Sequence, residues 1–500
     1  MISKRKNIID KLSYKLWKHL NKRYGTNTVP GYIQCVQDIR NVENSITALS
    51  NELDRLKTRN DALFAEQSKG FSLEIDRLKV KNEVLFAEQG KGFSLETASL
   101  RRLSVINYKS GKKTLNVLFL CPDKDVFCLE TLFRLMRQSD EFKPVIGVFP
   151  YEHVDPKIKF DASKYEKIVQ WLEQKQMKCV SLYDFEKKEY LSLKKVQPDI
   201  VFFNSTLGLK NTDRFLAEAS NAITCFVPYG YFLSNSQEFV FDNDFNYKMT
   251  YLFWETAPFA DLSERRARNK GENSFFQGYP KLDPFFDGHS PENVWKTQSF
   301  AKKKVVWAPH HSIENNTDHY GYSCFNELAD VMLELAEKYR DKVQFAFRPH
   351  PLLRSRLNSD ERWGEQKTAK YYKKWEQREN TQFSDGDYVD LLLTSDAMIG
   401  DSISFMCEYS AIDKPYCFTT RDDTVSRKFN ELGKDVFNRL LYKAPPLSDE
   451  IENFLQNVVL NGNDPLSEKR RTFTEENLLS PDGKNAAENI FNFLKKELRL

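Results

Sequence analysis

No stretch of this 500-residue chain approaches the roughly 20 consecutive apolar residues that a membrane-spanning helix needs. A transmembrane segment is therefore not expected. The N-terminus is basic but lacks the continuous apolar core of a secretory signal. The eight cysteines, at 35, 121, 128, 179, 225, 324, 407 and 417, include no CxxC pair. Several lie in apolar runs such as Leu118-Phe119-Leu120-Cys121, which fits reduced, buried thiols rather than a disulfide framework. The expected compartment is the cytoplasm. Net charge is also nearly absent: 74 Lys plus Arg stand against 71 Asp plus Glu, leaving +3. That balance argues against the broad basic field of a nucleic-acid binder.

What is present is enough to build cores. Apolar residues make up 40% and charged residues 29%, which rules out disorder of the whole chain. Domains cluster near roughly 100–150 residues, so this length suggests about three units.

Residues 1–24 concentrate charge that the total conceals. Lys4, Arg5, Lys6, Lys11, Lys15, Lys18, Lys22 and Arg23 face only Asp10, eight positive minus one negative, or +7. Ile8, Leu12, Leu16 and Leu20 recur every four residues, with Trp17 beside them. A basic amphipathic helix of this kind suits an anionic membrane surface. The alternative is a helix packed on the protein with its basic face in water.

Residues 25–110 read as a helical, coiled-coil arm. Asp54-Arg55-Leu56-Lys57 returns as Asp76-Arg77-Leu78-Lys79, and Leu63-Phe64-Ala65-Glu66-Gln67 returns as Leu85-Phe86-Ala87-Glu88-Gln89. The offset is twice eleven, a period that gives a nearly straight or slightly right-handed rod. Such an arm serves self-association, giving a homo-oligomer, or acts as a spacer.

Beyond the arm, short apolar runs alternate with amphipathic helices. Leu115–Leu120, Val145–Phe149, Asp199–Phe203 and Ile223–Val227 form one set of strands. Lys304–Trp307, Val343–Phe347, Ala397–Ile399 and Tyr416–Phe418 form another. The pattern predicts an α/β protein with two Rossmann-like domains, 111–295 and 296–500, facing a cleft. A last helix runs from Ala486 to Leu498.

In such sheets ligands sit beyond the carboxyl ends of strands. His310 and His311 follow one strand, Arg348 and His350 the next, and Asp401, Ser402 and Ser404 a third. A helix start after Asp401 offers hydroxyls and free N–H groups to a phosphate, or is simply capped by those hydroxyls. No carboxylate or cysteine cluster has metal-site spacing, so no metal and no cofactor are expected.

Gly278-Tyr279-Pro280-Lys281-Leu282-Asp283, Trp307-Ala308-Pro309, Arg348-Pro349-His350-Pro351, Ser395 through Ser404, Lys414-Pro415 and Asp482-Gly483-Lys484 occur in one order. Together they resemble the CDP-glycerol glycerophosphotransferase family of teichoic-acid and capsule polymerases, over roughly 195–495. The resemblance implies a GT-B fold. It also implies transfer of a polyol phosphate from a CDP-activated donor to a hydroxyl of a lipid-linked or polymer acceptor, with release of CMP. It marks His350 as the histidine at the donor phosphates and places Asp401, Ser404 and Glu408 in the donor site, where Arg348, Ser402 and Lys281 are expected beside them.

Two positions depart from the family pattern. Tyr229 stands where a His-Gly histidine is usual, and a phenol with a pKa near 10 is a poor base at neutral pH. His310-His311 replaces aromatic or small residues, so the general base is expected at His310 or His311. The rival readings are a GT-B sugar transferase and a non-catalytic scaffold. An enzyme of the expected kind would work at the inner face of the cell membrane, held there through residues 1–24.

Overall fold

The computed structural model describes residues 95–150, 162–205, 212–313, 322–386, 388–483 and 485–500. It also describes six isolated helical positions: Lys18, Gln37, Asn41, Asn44, Ala48 and Arg55. Apart from these, the basic helix of 1–24 and all but the end of the 22-residue repeat lie outside the described residues.

Two parallel sheets form the body. The first contains β1 (Leu115–Cys121), β2 (Phe142–Val148), β3 (Cys179–Ser181), β6 (Ile200–Phe203), β7 (Ile223–Phe226), β8 (Tyr251–Trp254) and β9 (Ser274–Phe276). A small hairpin of β4 (Tyr183–Asp184) and β5 (Glu189–Tyr190) stands apart. The large sheet runs in the order β3-β2-β1-β6-β7-β8-β9. The second sheet contains β10 (Lys303–Ala308), β11 (Val343–Phe347), β12 (Thr381–Phe383), β13 (Ala397–Gly400), β14 (Tyr416–Thr419) and β15 (Tyr442–Ala444). Its order is β12-β11-β10-β13-β14-β15.

The strands are apolar because both faces are covered. In β10, Val305 and Trp307 point into one core while Val306 and Ala308 point into the other. That split is the two-residue period of a strand made visible. Trp307 stacks against Phe347 at 4.9 Å and Phe325 at 5.7 Å, filling the layer between the second sheet and its helices. Gly400 closes β13 opposite Ala308, where a Cβ would run into the Ala308 carbonyl oxygen. Glycine is needed there for that close approach.

Two helices complete the body, one placed differently from expectation and one whose partner the sequence leaves open between the two halves. Leu95–Lys109, assigned to the arm by the boundary at 110, packs on the first sheet's domain. Arg101 donates to the carbonyls of Ser220 (3.0 Å), Ala219 (3.3 Å) and Lys248 (2.7 Å), and Lys109 pairs with Asp199 at 2.6 Å. The final helix, Ala486–Leu498, follows the second sheet in sequence yet docks on the first. Phe493 meets Tyr251, Phe253 and Phe275 at 5.1, 5.3 and 4.6 Å, and Lys495 pairs with Glu141 at 2.7 Å. Asp283 anchors its start by accepting the Ala486 and Ala487 N–H groups at 2.7 and 2.9 Å. The reason is physical: an amphipathic helix buries its apolar face on whatever sheet is left uncovered.

Each sheet reverses its strand order beside its first strand, at β1/β6 and at β10/β13. Ligands of open α/β sheets bind at such switch points. Among the described residues the seven cysteines are unbridged, and no helix is long and apolar enough to cross a membrane.

Candidate active site

The ends of β10, β11 and β13 meet at the second switch point, in the register Trp307↔Phe347 and Ala308↔Gly400. His310 and His311 leave β10, Arg348 and His350 leave β11, and Asp401 leaves β13. The chain is therefore folded so that three imidazoles converge. Ring centroids lie 4.2 Å apart for His310–His311, 4.3 Å for His311–His350 and 5.0 Å for His310–His350.

The backbone fixes this arrangement. His350 N–H donates to the Pro309 carbonyl at 3.0 Å, tying the two strand ends together. Nδ1 of His350 accepts the Leu352 N–H at 3.2 Å, and Nδ1 of His310 lies 3.0 Å from Ser312 Oγ. Tyr322 stacks on His310 at 5.1 Å. Burial above all, then the other imidazoles, pushes the pKa of His310 well below that of a free histidine. The same holds for His350, with burial first, then His311 and the Arg348 charge. Both rings are thus neutral at pH 7.

Asp401 does not face the cleft. It is 1% exposed, and its two oxygens accept the His310 and Cys324 N–H groups, each at 2.6 Å. Burial lifts its pKa to about 6 against the pull of those donors. Its work is to hold the histidine loop, whereas the sequence placed it at the donor. Ser402 is also buried, and its carbonyl accepts the Tyr416 hydroxyl at 3.0 Å. Ser404 is exposed. The expected helix start is a 3₁₀ turn, Ile403–Phe405, leading into the short helix Met406–Ala411.

A second group joins the two halves. Lys281 Nζ donates to the Asp125 carbonyl at 2.8 Å and lies 4.4 Å above the Tyr388 ring. The Arg348 guanidinium lies 5.5 Å from the same ring centroid and donates to the Gly386 carbonyl at 2.6 Å. Tyr388 and Tyr279 hydroxyls donate to Oε1 of buried Glu408 at 3.0 and 3.3 Å. Burial raises the Glu408 pKa, with Lys281 first among the groups opposing it. Tyr229 supplies its carbonyl to the Tyr279 hydroxyl, while its ring packs on the core.

Sequence reasoning missed Tyr388, Asp125 and Glu255. Glu255 directly follows β8, fully buried, with no partner for either carboxyl oxygen among the described residues. Tyr279 was available in the Gly278-Tyr279-Pro280 motif but carried no assigned role. A cavity of about 380 Å³ is lined by Lys281 and Tyr388 and, from the two halves, by Lys124, Trp171, Lys175 and Asp390.

The model of the CDP-glycerol:poly(glycerophosphate) glycerophosphotransferase family matches residues 246–496, just over half of the chain. The chain belongs to this family. It is accordingly a glycerophosphotransferase-like transferase. Its fold is similar to that of a variant of the wall teichoic acid polymerase TagF, with a TM-score of 0.53 and 16% identity. That likeness covers 85% of this chain and 98% of the polymerase. It is also similar to a putative UDP-N-acetylglucosamine 2-epimerase from Listeria monocytogenes, with a TM-score of 0.50, 13% identity, and 77% and 97% of the two chains covered. At such identities the likeness is one of fold, and the fold is GT-B-like. No curated protein matches the chain by sequence.

Proposed function

We propose that this family member transfers a glycerol phosphate, or a related polyol phosphate, from a CDP-activated donor to a hydroxyl of a membrane-associated, teichoic-acid-like acceptor. The observation that carries the reading is the convergence of three imidazoles and Arg348 at the switch point of the donor half, with Lys281 beside them. The acceptor oxygen bonds to the donor's distal phosphorus as the phosphorus–oxygen bond to CMP breaks. The acceptor's proton passes to an imidazole lone pair. His311 suits this task because it is half-buried, whereas His310 is nearly sealed and pinned by Ser312. Arg348, Lys281 and an Nε2–H of His350 offset charge that builds on the phosphoryl oxygens. Such positioned charge supplies most of the catalysis in phosphoryl transfer.

The cavity lined by Lys281 and Tyr388 lies within the size range of ligand sites, and we place the acceptor's terminal unit there. Residues 1–24, with their charge of +7, would hold the enzyme at an anionic inner membrane face. The repeat would join copies of the chain.

The test is release of CMP from CDP-glycerol and CDP-ribitol, with UDP-sugars in parallel. Turnover of a CDP donor, lost in His350→Ala, supports the reading. Turnover of UDP-sugars alone overturns it in favour of a sugar transferase.

A further inference from the structure

We propose that His310, His311 and His350 form a binding site for a divalent transition-metal ion of the zinc type. One ring nitrogen from each lies within 4.8 Å of the others. Zinc–imidazole bonds of about 2 Å put tetrahedral ligand atoms roughly 3.4 Å apart, so small side-chain rotations close the site. No metal-site spacing is visible along the chain, because the ligands come from two separate strand ends that only the parallel register of β10 and β11 brings together.

The donor set selects the ion. Three imidazoles without a carboxylate suit zinc and its neighbours, while magnesium and calcium require oxygen ligands. Nδ1 of His310 and of His350 are turned to Ser312 and Leu352, so Nε2 is the ligating atom we assign. Ligation there leaves the proton on Nδ1. At His310 this gives up the 3.3 Å bond from the Ser312 N–H, and the Ser312 hydroxyl, 3.0 Å away, is placed to accept the proton, the outer partner that ligating histidines ordinarily have. At His350 the same shift gives up one weak bond from the Leu352 N–H. Asp401 and the Pro309 carbonyl hold the backbone of two of the ligands before any ion arrives. Three protein ligands leave a fourth position open.

A ligated imidazole has no lone pair for an acceptor proton. Metal loading and proton uptake by these rings therefore exclude one another. That consequence rests on the transfer reading; retention of the metal does not.

The full-length chain, stripped with EDTA and dialysed, is titrated with zinc sulfate alone by calorimetry. One zinc per chain is expected, with affinity weakened roughly tenfold or more in His311→Ala. The His310→Ala/His311→Ala/His350→Ala triple variant should bind none, and His289→Ala, outside the cluster, should bind as wild type does. Cobalt in place of zinc should give wild type the intense visible absorption of a four-coordinate ion. If the triple variant does not fold, that spectrum decides: a weak octahedral spectrum overturns the site. So does zinc binding below one equivalent in wild type, or equal binding in a folded triple variant. All these readouts are independent of transfer, so an inactive enzyme that binds zinc refutes only the transfer reading.

Discussion

Asp401, at the end of β13, reaches across the switch point to accept the backbone N–H of His310 at 2.6 Å. The other carboxyl oxygen takes the Cys324 N–H at the same distance, just ahead of the helix Phe325–Lys338. One carboxyl thus clamps two loop segments beside the imidazoles.

Asp401→Asn keeps the shape but turns an amide NH₂ toward one of those N–H groups. A buried donor then loses its acceptor, at a cost of about 1–3 kcal/mol. The variant should unfold at lower urea concentration than wild type. It should also lose CMP release, because His310 and His311 shift with their loop. An unchanged unfolding midpoint would show that the clamp is not needed.

Glu255 gives a prediction with a definite sign in pH. Full burial holds its carboxyl well above the usual carboxylate range. The folded chain therefore keeps this proton where the unfolded chain, with a glutamate pKa near 4.3, has lost it. From about pH 4.3 upward the folded state binds more protons, so this group's contribution to stability falls as pH rises toward the folded pKa. Glutamine has no proton to lose. The melting temperature of Glu255→Gln, relative to wild type, should climb steadily between about pH 5 and pH 8. A difference that stays flat across that range rules out the raised pKa.

Much of this architecture was legible because it follows from local pattern. The alternation of Val305, Val306 and Trp307 and the polar residues directly after each run marked both the sheet and its ligand-binding end. His310, Arg348, His350 and Asp401 were found this way, since strand ends are fixed by the chain itself. Tyr388 and Glu255 were not found. A tyrosine after a short loop and a glutamate after an apolar run resemble surface residues until distant segments cover them. The helix ends misled for a related reason. Hydrophobic periodicity tells that a helix buries a face, but not against which sheet, so Leu95–Lys109 was placed with the arm and the partner of Ala486–Leu498 stayed open between the two halves.

Tyr388 separates two contributions to the site. Its hydroxyl satisfies Glu408, and its ring lies under both Lys281 and Arg348. Each cation–ring contact is worth about 0.5–2 kcal/mol. Tyr388→Ala should therefore lower kcat/KM for the CDP donor by roughly ten- to a hundredfold. Tyr388→Phe keeps the ring and should retain most of that activity, with a modest loss of stability because Oε1 of Glu408 keeps only the longer bond from Tyr279. Equal losses in the two variants would mean that the hydroxyl, not the ring, matters for the donor.

The final helix sets where the chain can be cut. Ile490, Leu494 and Leu498 are fully buried against the first sheet. At about 1.5–3 kcal/mol for each large aliphatic side chain, these three alone contribute roughly 5–9 kcal/mol. That is comparable with the 5–15 kcal/mol by which a whole domain is stable. A chain ending at residue 484 should therefore be insoluble or lack a cooperative thermal transition, although every strand of both sheets is retained. The N-terminal side behaves in the same way. A chain beginning at residue 93 keeps the Arg101 and Lys109 contacts and should melt like the full protein. One beginning at 111 leaves Asp199 without Lys109, its buried partner, and should melt several degrees lower. Light scattering on the chain from 93 tests the arm as well, since loss of self-association is expected there. An oligomer that survives removal of residues 1–92 would place the interface on the body instead.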